Sequence, residues 1–245
     1  MDARAGEGGR GRQVLLALLA TAFAGFVALG GWQVERRAWK HALIERVEAR
    51  LAAAPVAATG PDAWAAIGRD DEYRQVTVRG RFDHGRETCT QAVTVLGPGC
   101  WVLTPLRTDA GWTVLVNRGF VDPAHRGPAS RHGAQTEGPV QIAGLLRASE
   151  PGGGFLRAND PAIGRWTSRD VAAIAAARGL DPARTAPYFV DADAASSLPG
   201  GPVGGLTVVQ FRDHHLIYAL TWFGLAAMTA AAFGHLLRRP RREEP

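Results

Sequence analysis

Cysteine is scarce in this sequence: only Cys89 and Cys100 occur among 245 residues. Two cysteines provide no disulfide framework and no zinc cluster, although they could form one bridge in an oxidising compartment. If Gly97-Pro98-Gly99 is the turn of a hairpin, the two residues lie about 20 Å apart along it, whereas a bridge needs Cα atoms within about 7 Å. The sequence therefore predicts two free thiols.

Motifs of catalysis are also missing. The sequence contains no GxSxG, HExxH, CxxC or dinucleotide fingerprint, and the glycine-rich segment 200–205 lacks the Lys-Ser/Thr pair of a phosphate loop. His84, His125 and His132 lie near Gly or Pro with no catalytic spacing, which favours surface positions in loops. A hydrolase would need a nucleophile and a base, and no such pair is visible. The sequence does not predict an enzyme.

Charge is absent from two long apolar runs. Residues 14–32 and 216–237 contain no Asp, Glu, Lys or Arg. A helix of roughly 19 to 22 residues covers about 28–33 Å, which matches the hydrocarbon thickness of a bilayer. We predict transmembrane helices at 14–33 and 215–237. The short termini, 1–13 and 238–245, then lie on one side of the membrane.

The first run has an alternative interpretation as a cleaved signal peptide, since Ala22-Phe23-Ala24 resembles a cleavage site. Its length and its continuation at helical pitch favour a span. Basic residues do not fix the orientation, because seven flank the spans on the terminal side and six on the other. The high pI of about 10.0, with no basic and aromatic stripe, indicates contact with the lipid bilayer and no nucleic acid.

The middle of the chain, 34–214, has the pattern of a folded domain. A helix is expected to continue to about Leu51 and to end before Pro55. Alternating apolar residues then predict strands, which are listed here by sequence: YRQVTVRGRF, TCTQAVTVLG, CWVLTPLRT, WTVLVNRGFV, GPVQIAGLLR, PYFVDA and GGLTVVQF. One helix interrupts them, with Ser168 as the N-cap and Gly179 as the stop. The predicted fold class is a membrane protein with two transmembrane helices flanking an α+β, mainly antiparallel β domain, with a partly closed sheet.

Arg118, in the segment VNRGF, is the charged residue of this domain whose position most suggests a specific role. An arginine at the end of a strand could hold an acidic ligand. The simpler prediction is a salt bridge with a neighbouring carboxylate.

The junction with the second span is the most unusual segment. His214 and His215 stand at the head of the helix, and His215, Tyr218 and Trp222 are spaced i, i+3 and i+7 on one face. A neutral imidazole beside two aromatic rings could be an axial ligand of haem iron, with Tyr218 and Trp222 against the porphyrin. The alternative is an interfacial belt that anchors the helix end in the headgroup layer.

A resemblance extends from Leu29 to about Leu237. In order, it is carried by LGGWQVERRAWKHALI, WVLTPL, VLVNRGFV, GPVQIAGLLR, RWTSRD, PYFVDA and PGGPVGGLTVVQFRDHHLIYALTWFG. The sequence resembles the surfeit locus protein one family, whose members assist the assembly of haem-copper cytochrome c oxidase. The resemblance implies a helper instead of a catalyst, located in the bacterial inner membrane with cytoplasmic termini and a periplasmic domain.

The same resemblance implies haem a as a cofactor, because bacterial relatives have been linked to haem a at a histidine that aligns with His215. The family usually has Asn where this chain has Asp213, and the adjacent His214 leaves the choice of ligand open. The implied partners are the catalytic subunit of cytochrome c oxidase and the haem-synthesis machinery. The alternative function is a cofactor-free, membrane-tethered scaffold that acts by protein contact.

Overall fold

The computed structural model describes residues 3–154, 157–207 and 213–238. The chain divides into two units, Met1–Arg46 with Gln210–Pro245, and Val47–Val209, which we describe separately. The helices are α1 (Ala3–Ala52), α2 (Val171–Ala177) and α3 (His215–Arg238). The strands are β1 (Val56–Ala57), β2 (Gln75–Phe82), β3 (Thr88–Thr94), β4 (Gly97–Thr108), β5 (Thr113–Val121), β6 (Pro139–Ala148) and β7 (Thr185–Ala192).

The first unit consists of α3 and most of α1. Both helices are long and apolar enough to cross a membrane, and little of either apolar stretch is buried. As predicted, α1 continues beyond its apolar run and ends shortly before Pro55. Exposed apolar surface of this extent is what a helix in lipid presents.

The second unit is one barrel-like sheet of seven strands in the order β1-β2-β6-β7-β5-β4-β3, with an additional pairing of β2 with β4. Most neighbours are antiparallel, which confirms the predicted character of the sheet. The pairs β1–β2 and β5–β7 are parallel, and the sequence did not predict them. Of the expected last strand GGLTVVQF, residues 204–207 are not in a strand, and the rest lies outside the described residues.

Strand β5 is buried on both faces and divides the core in two. Val114 and Val116 lie in a cluster with Tyr188 and Val190, on one side of the strand. Leu115 faces the other way because side chains alternate along a strand, and it joins the cluster that α2 covers. A continuous apolar strand of this kind therefore belongs at the centre of the sheet, not at its edge.

Helix α2 begins later than predicted. Asp170, not Ser168, is its N-cap, and its carboxylate accepts a hydrogen bond from the backbone N–H of Ala173 at 3.1 Å. The Ser168 hydroxyl instead donates to the carbonyl oxygen of Glu150. The predicted stop is confirmed, since Gly179 has a φ of 62°.

The prediction of two free thiols is wrong, because Cys89 and Cys100 form a disulfide with Cα atoms 5.6 Å apart. The turn lies at residues 95–96, so that Thr94 pairs with Gly97 and Gln91 with Cys100. Cys100 is thus inside β4 and diagonally opposite Cys89, not beside the turn. The mistaken register alone produced the large distance expected from the sequence.

Unfolding without reductant is accordingly expected to expose no thiol that reacts with a maleimide. Adding reductant should release two thiols per chain and lower the free energy of unfolding by about 2–4 kcal/mol. Mass spectrometry of maleimide-treated protein counts the thiols directly. Two modified cysteines before reduction would show that the bridge does not form.

Candidate functional site

The head of α3 is held by an acidic side chain that precedes it. Asp213 Oδ1 accepts a hydrogen bond from the backbone N–H of His215 at 3.0 Å, one of the N–H groups that a helix leaves without an internal acceptor. His41 of α1 donates from Nε2 to Asp213 Oδ2 at 2.7 Å, and Arg37 lies 3.8 Å from the same oxygen. The hydrogen bond from His215 N–H, supported by His41, keeps the pKa of Asp213 below its usual value. Asp213 therefore fixes the position at which the helix begins.

The ring of His215 is bound to the other helix. Its Nδ1 lies 2.7 Å from the amide oxygen Oε1 of Gln33, and Gln33 is only 9% exposed. An amide oxygen can only accept, so the proton of the neutral ring is on Nδ1. In this neutral form Nε2 has a free lone pair, which is the form of imidazole that binds a metal ion. Gln33 thus sets both the tautomer and the orientation of His215.

Small and aromatic residues bring the two helices close together below this contact. The rings of Phe26 and Trp222 stack with centroids 5.8 Å apart. A Cβ atom on Gly30 would lie only 2.6 Å from the ring of Phe223, so a larger residue there would require that ring to move. Small residues at such a contact are typical of helices that pack in membranes.

The predicted site residues take different positions along α3. His215 and Trp222 both contact α1, through Gln33 and Phe26 respectively. Tyr218 lies on the flank and is 55% exposed, and His214 is exposed. The arrangement therefore distinguishes the two histidines, which the sequence could not do.

Gln33 was missed by the sequence analysis. It stands next to the last residue of the first apolar run, in GWQVERR, and an uncharged polar residue at the end of a span attracts no attention alone. One indirect indication was available in the sequence. A buried polar group in a span needs a partner, and His215 is a polar residue at the matching end of the other helix.

The loop histidines do not form a site. In the parts of the chain that the structure describes, no group of three or more His, Cys, Asp or Glu side chains could hold a metal ion. His125 and His132 are exposed as predicted, whereas His84 is partly buried against Arg118. No carboxylate among the described residues forms the predicted salt bridge with Arg118, whose hydrogen-bond partners there are the carbonyl oxygen of Ala134 and the ring of His84.

Two apolar helices that precede and follow a mainly β domain along the chain fit a membrane-anchored protein. The family model described as the SURF1 family matches residues 20–227, a range that includes Gln33 and His215. The chain belongs to the SURF1 family.

Individual relatives support this assignment. Surfeit locus protein 1 of Homo sapiens is 39% identical over 234 residues, covering 89% of this chain and 74% of that protein. Surfeit locus protein 1 of Takifugu rubripes is 36% identical and covers 88% of this chain and 92% of its own length. A SURF1-like protein of Monosiga brevicollis is 35% identical over 244 residues, with coverage of 94% and 90%. The similarity therefore includes both apolar helices as well as the sheet.

Proposed function

We propose that this chain is an assembly factor for haem-copper cytochrome c oxidase, and that it holds haem a through His215 while the catalytic subunit matures. Membership of the SURF1 family supports the assembly function. The observation that supports the haem site is the hydrogen bond between His215 Nδ1 and Gln33 Oε1, which leaves the lone pair of Nε2 available to a metal ion. The partners are then the catalytic subunit and the machinery that makes haem a.

The residues around His215 fit a haem group. When bound, haem a would supply an iron centre that accepts a nitrogen ligand. Tyr218 is an exposed aromatic side chain one turn below His215, and its ring could pack against a porphyrin. One face of Trp222 is already covered by Phe26, so Trp222 would support the site more than contact the ligand. Gln33 would keep the imidazole in the tautomer that binds iron.

A visible spectrum of the full chain, purified in detergent from a host that makes haem a, tests this proposal. A Soret band should accompany the protein. His215→Ala should remove most of the bound haem, because no other described nitrogen donor on that face of α3 replaces it. Gln33→Leu should weaken haem affinity by about 10- to 100-fold, the usual effect of losing the group that orients a metal-binding histidine.

His214→Ala is the matched control, since the exposed neighbour has the same chemistry and should leave the spectrum nearly unchanged. Loss of haem in the His214 variant but not in the His215 variant would move the ligand by one residue. Unchanged haem in both would assign the two histidines to the interfacial belt.

A cofactor-free scaffold remains the second candidate function, and one observation favours it. The tip of the β3–β4 hairpin exposes three apolar side chains, with Val93 and Val95 each 85% exposed and Leu96 54% exposed. Exposed apolar residues in a group are typical of protein contact surfaces. Purified protein without a Soret band, together with loss of oxidase assembly in a Val95→Asp variant, would support the scaffold.

We also propose that the termini are cytoplasmic and the sheet domain periplasmic, in a bacterial inner membrane. The disulfide fits this placement, because such bonds persist in oxidising compartments. Alkaline phosphatase needs its own disulfides and is active only in the periplasm. A fusion after Gly138 should therefore be active and a fusion after Arg239 inactive, as colony colour would report. The reverse pattern would contradict the orientation.

A further inference from the structure

A cavity of about 260 Å³ lies in the sheet unit, beside the end of β5. Arg118 lines it, and none of the other described residues that line it is acidic. Its polar side consists of Thr136, Gln141 and Ser196. Its apolar wall includes Phe82, Ile142 and Leu198. The cavity thus combines one cation with an apolar surface.

Among the described residues, the hydrogen-bond partners of Arg118 are neutral groups. Its Nη2 donates to the carbonyl oxygen of Ala134 at 2.6 Å, and its Nη1 lies 3.4 Å from Nδ1 of His84. His84 Nε2 lies 3.1 Å from the carbonyl oxygen of Thr136 and must donate to it. Nδ1 of His84 is then the unprotonated nitrogen, which accepts from Arg118 and adds no charge.

The nearby carboxylate, Glu87, pairs with another arginine through one oxygen, and its buried Oε2 has no hydrogen-bond partner among the described residues. Glu87 Oε1 accepts from Arg131 Nη2 at 2.6 Å, and these side chains are only 8% and 1% exposed. Two arginines and one glutamate leave one positive charge that is not balanced within the group. Burial lowers the pKa of Arg118 while Glu87 raises it, and a guanidinium stays charged at neutral pH in either case.

Arg118 is only 8% exposed and forms no ion pair with a described carboxylate, so its charge is costly unless something compensates it. Two of its five N–H groups are used by Ala134 and His84. The ring of Phe82, 5.2 Å from the Arg118 guanidinium carbon, supports the group from one side. The remaining donors are suited to the two oxygens of a carboxylate, which a guanidinium binds as a fork.

We propose that this cavity binds a small organic carboxylate, whose charged group pairs with Arg118 and whose short apolar part packs against Phe82 and Ile142. The volume is below the roughly 300–1,000 Å³ of pockets for drug-sized ligands, which limits the ligand to a few carbon atoms or one ring. The site is independent of the helix pair that contains His215, and it does not depend on the haem proposal.

Isothermal titration calorimetry of the full chain in non-ionic detergent tests the proposal, with benzoate, benzamide and inorganic phosphate as probes. Benzoate should bind, and benzamide, which has the same ring without the charge, should bind about tenfold or more weakly. Phosphate, which has the charge without the ring, should bind no better than benzamide. Arg118→Gln should weaken benzoate by about tenfold or more.

A second pair of variants avoids any folding defect of the Arg118 variant. Ala195 is exposed and lines the same cavity, so its replacement disturbs no core packing. Ala195→Asp places a competing carboxylate there and should abolish most benzoate binding. Ala195→Asn has the same shape without the charge and should weaken it far less.

Four results would overturn the proposal: no binding of benzoate, equal binding of benzoate and benzamide, tighter binding of phosphate, or equal effects of the two Ala195 variants. Normal haem spectra in all these variants are expected, so failure here would leave the His215 site unaffected.

Discussion

Replacement of Asp191 by Ala is expected to lower the free energy of unfolding of the sheet domain by about 3–5 kcal/mol, because two buried arginines and a buried asparagine lose the acceptor that they share. Asp191 is 3% exposed and lies near the end of β7. Its carboxylate binds two arginines, with Arg147 Nη1 at 3.0 Å and Arg169 Nη1 at 3.3 Å. Asn117 also donates to it at 2.7 Å, from the neighbouring β5.

The size of the effect follows from what remains after the substitution. Arg147 and Arg169 have side chains only 13% and 14% exposed, so water cannot replace the lost carboxylate. Each retains one other carboxylate, Glu72 for Arg147 and Glu150 for Arg169. These contacts still balance the charge of the two arginines, but both Nη1 groups and the Asn117 amide lose the acceptor that they share.

Urea unfolding followed by near-UV circular dichroism, on the full chain in detergent, measures this effect. Asp109→Ala is the matched control, because it breaks an ion pair with Arg79 in which both side chains are more than half exposed. That pair should contribute less than about 1 kcal/mol. Equal destabilisation by the two variants would show that burial of the Asp191 network does not determine its contribution.

Gly119→Ala is expected to have the second large effect, a loss of about 2–5 kcal/mol from backbone strain and overpacking together. Gly119 has a φ of 131°, a conformation that residues with a Cβ rarely adopt. A Cβ there would lie 2.2 Å from the carbonyl carbon and oxygen of Val203. Since these are backbone atoms, no side-chain rotation relieves the clash.

The clash would also separate two segments that are bonded to each other. Phe120 and Val203 exchange two backbone hydrogen bonds, both 2.9 Å long, directly beside Gly119. Gly111→Ala is the control, because Gly111 has a φ of 85° but no atom within 4 Å of the added Cβ. It should cost only about 1–2 kcal/mol of strain in the same urea experiment. A Gly119 variant as stable as the Gly111 variant would contradict the close approach of Val203.

Patterns that are local in the sequence predicted most of the architecture. Two charge-free runs gave α3 and the apolar part of α1, because the length of such a run is itself the signal. Alternation predicted β2 and β6, where every second residue faces the core. Each of these predictions depends on neighbouring residues only, and each is confirmed.

Pairing between distant strands could not be predicted, and the hairpin of β3 and β4 shows why. Gly99 was interpreted as a turn residue, yet it lies within β4, where a Cβ would be 2.2 Å from the carbonyl oxygen of Val121 and 2.6 Å from the ring of Phe120. The absence of a side chain lets β5 approach closely at this point, and it does not bend the chain. The turn itself contains Val95 and Leu96, which have no turn-forming character.

The candidate site was likewise predictable only in part. Helical spacing placed His215 and Trp222 on one face, because that depends on α3 alone. The partner of His215 depends on the register between α1 and α3, which the sequence does not contain. Gln33 therefore became visible only with both helices in place.

The order in which the strands pair has a consequence for folding during synthesis. β5 lies between β4 and β7, and its parallel partner β7 follows only after the whole of segment 122–184. As the chain is made from its N-terminus, β4 and β5 are available early, but one edge of β5 stays unpaired until β7 has been made. β6 likewise lacks β7 on one side until then. Because contacts between distant segments form slowly, the half-made domain presents unpaired strand edges, and aggregation or a chaperone competes with folding in this interval.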